Sequence, residues 1–464
     1  MKALPSSFDG DNAFSYLHHL SVTIGPRLSG SKGEHQAADY IKRLFVSFGL
    51  NTHMQKFPVH TFRNKSCSVS VCHNGAWSSI PSLPVMPCKN TPPNGIQGEL
   101  FFAETGDPEY FSPAMRGKIV VICGRIKSEN RPRFLSYNPK ALILIEPQIK
   151  EHISTIATNV NNLETYGNLP MVVIRHMDGF ALLKNRCSSA KLLVRNVTSL
   201  SHSYNVIGEL PGSEIPDEIA VVCGHYDSHM GIAGAADNAG GTAVMLELAR
   251  VLSAAPSRRT IRFIAFAAEE TGLHGSTWYA CDLLKKDARD KKKASWIPDV
   301  STSECLRHRL VFNLDVHGLL LGSNTVLVCG SEDCISSVRL LAKELGIQMK
   351  VDPGPMSSDG TPLAAAGIPA VQFGRYGGAT MYGHSEKDVI DYLSPAALQT
   401  AGRFSQLYLR RYVADCPSFP FPREIPDDQI KKINEYFDRG KLPNPVTLAE
   451  KPGGHPSAGK KKTK

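Results

Sequence analysis

At 464 residues the chain exceeds what one compact core accommodates, so two or three domains are expected. A hydrophobic fraction of 42% with 20% charged residues is that of a globular protein, and no run approaches the roughly 18 apolar residues of a membrane span, which excludes a spanning segment. The formal charge of +9 marks no nucleic-acid partner: residues 451–464 hold five Lys and no acid, residues 285–293 hold six basic residues against two Asp, and the rest of the chain is neutral.

The opening segment, MKALPSSFDGDNAF, has no apolar stretch and does not read as a secretory signal. Residues 12–49 read as two helices around a Gly/Pro/Ser loop, the second carrying Ala38, Ile41, Leu44 and Phe45 at helical spacing. Within 75–200 the texture changes: β-like runs (GELFFAE, GKIVVICG, KALILIE, LPMVVIR) stand too close together for a regular βαβ wind, which predicts a compact, β-rich insert. From about residue 201 to 415, apolar strands (IAVVCG, TIRFIAFA, RLVFNLD, TVLVCG, IPAVQF) alternate with helical segments at 242–252, 338–345 and 395–412. That alternation predicts an α/β sandwich around a mixed, mostly parallel sheet. Residues 416–464 are Pro-rich, with one short helix expected at 427–438 and a Gly/Lys tail expected to be disordered. Eleven Cys lie scattered without CxxC pairs, several in strand-like runs, which fits free thiols in a reducing compartment and a cytoplasmic location.

Acids and imidazoles fall where these strands end. His225 and Asp227 stand just beyond IAVVCG, Asp237 precedes a helix after a Gly/Ala-rich loop, Glu269 and Glu270 close TIRFIAFA, and Asp315 ends RLVFNLD. In an open α/β sheet the ligand crevice lies outside the carboxyl ends of the strands, so separate elements deliver these groups to one place. Singly, each has an ordinary reading: Asp237 as a helix N-cap, the Glu pair as a helix start, His384 in MYGHSEKD as a surface side chain. Jointly, unpaired buried carboxylates repel, and their convergence calls for a cation. Competing motifs are absent: GIAGAADNAGG lacks the phosphate-loop Lys, no GxGxxG or HExxH occurs, and no GxSxG elbow follows a strand.

The runs HYDSHMGIAGAADNAGGTAVMLELARVL, FAAEETGLHGS, NLDVHG, SSDGTPLAAAGIPAVQFG and GHSEKD resemble the co-catalytic di-zinc exopeptidases, a family that includes bacterial leucine aminopeptidases, plasma glutamate carboxypeptidase and the peptidase-like domain of the transferrin receptor. IGPRLSGSKGEHQAADYIKRLFVSFGL is similar to the family's opening segment, and the insert resembles a protease-associated domain. The resemblance implies a three-layer α/β fold divided into residues 1–74 and 201–415 (peptidase domain), 75–200 (insert) and 416–464 (extension and tail). It further implies two Zn²⁺ per chain: Asp237 bridges both, His225 and Asp315 hold one, and Glu270 and His384 hold the other. Asp227 would orient His225, and Glu269 would act as general base on a metal-activated water. Peptides would be the substrates; neither nucleic acid nor a membrane span is expected, and oligomeric state is not legible.

Two positions depart from the family pattern. Where some members place a Tyr directly before the last His ligand, this chain has Gly383, leaving Tyr382 as the candidate oxyanion donor. Gly360 stands where others have His, and Ser357–Gly360 would belong to the substrate region. The implied reaction is release of an N-terminal residue, with a carboxypeptidase or dipeptidase as the alternative and a non-catalytic receptor-like module as the alternative from another class.

Overall fold

The computed structural model describes residues 7–157, 169–293, 303–440, 442–451 and 454–456, which form two compact units. One is drawn from Met1–Val59, Ser201–Gly383 and Asp388–Ser457, the other from His60–Leu200 and His384–Lys387.

Helix α1 (Gly10–His18) starts at Asp9, whose carboxylate accepts from the N–H groups of Asp11 and Asn12. Helix α2 (Lys32–Ser47) is capped by Ser31 and buries Ala38, Ile41 and Phe45, the face marked by their spacing. Strand β1 (Asn51–His73) follows. Its last residues pair antiparallel with β2 (Ala76–Ile80), and the second unit begins within β1 at His60.

The second unit continues with β3 (Leu83–Met86), β4 (Ile96–Phe102), β5 (Ile119–Cys123), helix α3 (Arg131–Ser136), β6 (Ala141–Ile145), β7 (Ile156–Ala157), β8 (Met171–Ile174), helix α4 (His176–Lys184) and the first part of β9 (Ser189–Leu210). Its strands lie in the order β9-β4-β5-β6-β8-β3-β7. The four apolar runs of the sequence are β4, β5, β6 and β8, which run mutually parallel. Their side chains from Ile119 to Ile122 and from Ala141 to Ile145 are buried throughout, as expected for strands covered on both faces.

The first unit resumes with the end of β9 and proceeds through β10 (Ile215–His225), helix α5 (Gly241–Ser253), β11 (Arg259–Phe266), α6 (His274–Lys293), α7 (Glu304–Arg307), β12 (His308–Leu314), β13 (Ser323–Cys329), α8 (Glu332–Glu344), β14 (Met349–Pro353), α9 (Gly360–Ala365), β15 (Ala370–Tyr376), α10 (Pro395–Leu409), α11 (Asp427–Gly440) and α12 (Pro445–Ala449). The strand order is β14-β13-β15-β12-β10-β11-β9. β11, β10, β12 and β15 are parallel, while β9 and the β13–β14 pair run against them. Successive residues of β10 part into two apolar clusters. Ala220 and Val222 meet α1, α2, α5, α8 and α10 in one cluster, whereas Val221 and Cys223 meet α6, α9 and α11 in the other. That period-two division makes the sheet the middle of a three-layer α/β sandwich.

The extension after residue 415 is part of this core. Helix α11 seats Ile433 and Phe437 in the second cluster, and the Gln429 side chain accepts from the Gly330 N–H (2.9 Å) and donates to its carbonyl (3.1 Å). The basic tail expected to be disordered lies largely outside the described residues. Among those described, no helix is long and apolar enough to cross a membrane.

Candidate metal centre

Register brings the strand ends to one edge of the sheet. β10 pairs with β11 so that His225 faces Phe266, and with β12 so that Cys223 faces Asn313. His225 therefore closes its strand level with the start of the turn carrying Glu269 and Glu270, and level with Asp315 just past β12. Asp237 arrives on an irregular turn (Ala235–Gly240) that leads into α5.

The groups converge closely. His225 Nε2 lies 3.2 Å from Asp237 Oδ1 and 3.3 Å from Asp315 Oδ1. Ligand atoms of His225, Asp237 and Glu270 all lie within 4.8 Å of one another, as do those of His225, Glu269 and Asp315. Asp227, fully buried, accepts from the backbone N–H of Glu269 (3.1 Å) and of Glu270 (3.3 Å), and its Oδ1 is 3.5 Å from His225 Nδ1. Thr242, in the first turn of α5, donates to the His225 carbonyl at 2.6 Å.

Several supporting residues escaped the sequence reading. His229 Nε2 sits 2.9 Å from Glu270 Oε2. It stands in the HYDSH run, where a second imidazole four residues after His225 was the available signal. Asp388, nearly buried, accepts from the N–H groups of Ala236 (2.8 Å) and Asp237 (3.2 Å). The buried guanidinium of Arg27 donates to the carbonyls of Leu20, Gly25, Tyr226, Ala233 and Gly234, a role no local pattern announces. It also supplies positive charge near Asp227, Asp388, Glu270 and Asp237.

Electrostatics follow from burial and crowding. Burial pushes the Glu269 carboxyl well above the usual range; His225 opposes the shift, and Glu270, Asp315 and Asp359 add to it. Burial alone would lower His225, but Glu269 and Asp315, with hydrogen bonds to Asp227 and Asp237, outweigh it and hold the imidazole well above its ordinary value. Burial likewise raises Asp388 to about 7 and Asp359 to about 7. A cation in this cluster would reverse that crowding. The donor set fits one: an imidazole Nε2 aimed between the Asp237 and Asp315 carboxylates is a mixed N/O environment suited to Zn²⁺.

Backbone strain gathers here too. Ala268 (φ 59°) and Val316 (φ 58°) are left-handed, one immediately before Glu269 and the other immediately after Asp315. For a β-branched residue this conformation is costly and persists only where the surroundings impose it.

Other expected residues lie as follows. Tyr382 ends a short turn (Gly378–Tyr382) with its ring against Tyr392, centroids 5.0 Å apart. His384 belongs to the segment grouped with the second unit, where its carbonyl accepts from the Thr155 N–H (2.7 Å) and hydroxyl (3.0 Å). In the Ser357–Gly360 run, Ser357 Oγ is 2.9 Å from the Tyr436 hydroxyl of α11, and Ser358 Oγ accepts from Asn313 at 2.7 Å. A Cβ at Gly360 would lie 2.6 Å from Gln372 Oε1, so the close approach of that side chain favours glycine over the larger family residue.

Comparison with known proteins gives this geometry its setting. Over 410 residues the chain is 29% identical to aminopeptidase YwaD of Bacillus subtilis (strain 168), covering 85% of this chain and 83% of that protein. It is 25% identical to carboxypeptidase Q of Bos taurus over 304 residues, 58% of this chain and 61% of that one. Among solved structures, BSAP, a zinc aminopeptidase from Bacillus subtilis, matches with a TM-score of 0.71 at 28% identity, covering 91% of this chain and 99% of that one. The chain is a metallo-exopeptidase, a hydrolase of peptides built on a three-layer α/β scaffold. Its residues 205–408 match the model of peptidase family M28.

Proposed function

We propose that this protein is a zinc aminopeptidase that holds two Zn²⁺ and removes the N-terminal residue of peptides. Two overlapping clusters that share His225, one with Asp237 and Glu270 and the other with Glu269 and Asp315, carry the reading. Asp237 would be the shared ligand, with His225 and Asp315 holding one ion and Glu270 the other. His384 is assigned to the second ion on its place in the GHSEKD motif alone. When bound, the ions supply Lewis acidity and lower the pKa of water.

The chain's own residues do the rest. Glu269 takes a proton from the attacking water and returns it to the leaving amine, a role suited to a carboxyl whose burial already favours the protonated form. Asp227 fixes the turn on which Glu269 and Glu270 stand and faces His225 Nδ1. Tyr382 is the candidate donor to the developing oxyanion. The insert is proposed as a protease-associated domain, and eleven unpaired cysteines support a cytoplasmic location.

The test is hydrolysis of free and N-acetylated dipeptides and aminoacyl anilides, with and without a chelator, beside Glu269→Gln. Chelator-sensitive cleavage restricted to free-amine substrates is expected. Cleavage of N-blocked peptides would move the assignment to a carboxypeptidase, and zinc-loaded protein that cleaves nothing would favour a binding module.

A further inference from the structure

Two of the proposed ligand carboxylates are joined through a side chain that belongs to neither. Asn238 follows Asp237 directly and is fully buried. Its Nδ2 donates to the Leu314 carbonyl (2.9 Å), and its Oδ1 accepts from the Val316 N–H (3.2 Å). Leu314 and Val316 are the residues on either side of Asp315. The same Oδ1 accepts from the Gly241 N–H (2.9 Å), the first residue of α5. On its other side Asp237 is held by Asp388, through its own N–H and that of Ala236.

The packing around this bridge leaves no slack. A Cβ at Gly241 would lie 2.2 Å from Asn238 Oδ1 and 2.4 Å from the Leu314 carbonyl, and one at Gly240 would lie 2.2 Å from the His317 carbonyl. The two glycines let α5 begin hard against the strand end carrying Asp315. A primary amide suits this place because it offers one donor and one acceptor, matching the carbonyl and N–H that flank Asp315. A carboxylate would lose the donor, and an aliphatic side chain would take the amide partner from both the Leu314 carbonyl and the Val316 N–H.

We propose that Asn238 is a positioning residue that sets the separation of the Asp237 and Asp315 carboxylates, with Asp388 clamping Asp237 from the opposite side. The consequence is a metal site whose spacing is fixed before any ion arrives. The inference rests on the two-metal reading above.

The test compares wild type with Asn238→Ala, Asn238→Asp and Asp388→Asn. Zinc dissociation constants are measured by competition with a chromophoric chelator, together with visible spectra of the Co²⁺-loaded proteins and melting of the metal-free proteins. Asn238→Ala is expected to weaken zinc about 10–100-fold and to shift the Co²⁺ bands while the protein remains folded. Asn238→Asp, which keeps the acceptor, should fall between it and wild type. Should Asn238→Ala fail to fold, Asp388→Asn, which keeps one acceptor, carries the same expectation for zinc and for the spectrum. Zinc affinity and Co²⁺ bands unchanged in the folded variants would overturn the inference and leave the two-metal reading intact. A wild type that binds no zinc would overturn both.

Discussion

The carboxylate of Asp227 accepts the backbone N–H of Glu269 at 3.1 Å, so one buried acid holds in place the peptide unit that carries the proposed base. The sequence places Asp227 as a partner of His225. The structure gives it a second duty, because its two oxygens also bind the adjacent N–H groups of Glu269 and Glu270 while Oδ1 stands 3.5 Å from the imidazole. Asp227→Asn is therefore expected to lower kcat/KM and zinc affinity together, by about 10–100-fold. An amide retains one acceptor but turns its NH₂ toward an N–H donor. Steady-state kinetics at saturating zinc, with zinc titration, separates the two effects; a change confined to KM would contradict this role.

Removing the proposed base gives a different signature. Glu269→Gln keeps the volume of the side chain but cannot accept and return a proton, so kcat should fall by about 10²–10⁴ with KM and zinc content nearly unchanged. Single-turnover hydrolysis together with metal analysis reads both quantities. Activity within a few-fold of wild type would remove Glu269 from the chemistry.

A buried acid outside the ligand set adds its own share to the pH dependence of stability. Glu34 is fully buried, accepts from the Tyr226 hydroxyl at 2.5 Å and lies 3.4 Å from His35 Nε2. Burial raises its pKa to about 8, with the Tyr226 hydrogen bond opposing and Asp227 adding. The folded state thus holds a proton that the unfolded chain releases near 4.5. Its contribution to stability is full below that value and is lost as pH rises toward about 8. Denaturant unfolding of the metal-free protein should show this decline, of which Glu34 contributes at most about 1.4 kcal/mol per pH unit, and Glu34→Gln should make the slope shallower. Equal slopes in the two proteins would refute the assignment.

Gly241 sets two effects against each other. Alanine is the better helix former by about 1 kcal/mol, and Gly241 opens α5 with ordinary helical angles (φ −65°, ψ −41°). Yet its Cβ would press on the Leu314 carbonyl and on Asn238, where overpacking costs about 1–3 kcal/mol. Gly241→Ala should destabilise on balance, measured by chemical denaturation of the metal-free protein. A stabilised variant would mean that the first turn of α5 yields easily.

Much of this architecture was legible because its signals are local and periodic. Apolar runs alternating with helical segments gave the sandwich, and the positions of His225, Asp237, Glu270 and Asp315 after strands placed them at one edge. The reading failed where partners lie far apart in the chain. Asp388 reaches back 151 residues to the Asp237 N–H, and Asn238 reaches forward 76 to Leu314. Neither spacing leaves a periodic trace. Taken singly, Asp237 is indistinguishable from a helix N-cap, since a short loop before a helix looks alike whether its acid caps the helix or faces a site; its company with the other strand-end acids and imidazoles marks it as a ligand candidate.

Helix α11 has a consequence for how the catalytic portion is delimited. The family match ends at residue 408, but Ile433 and Phe437 fill the cluster containing Leu363, Ala364 and Ile368, and Gln429 pairs with the backbone of Gly330. A gene fragment stopped at 408 would leave that apolar face wet and Gly330 unpaired. The boundary drawn by ancestry is thus shorter than the boundary required for folding, and an expression library cut to the former would be selecting for aggregation.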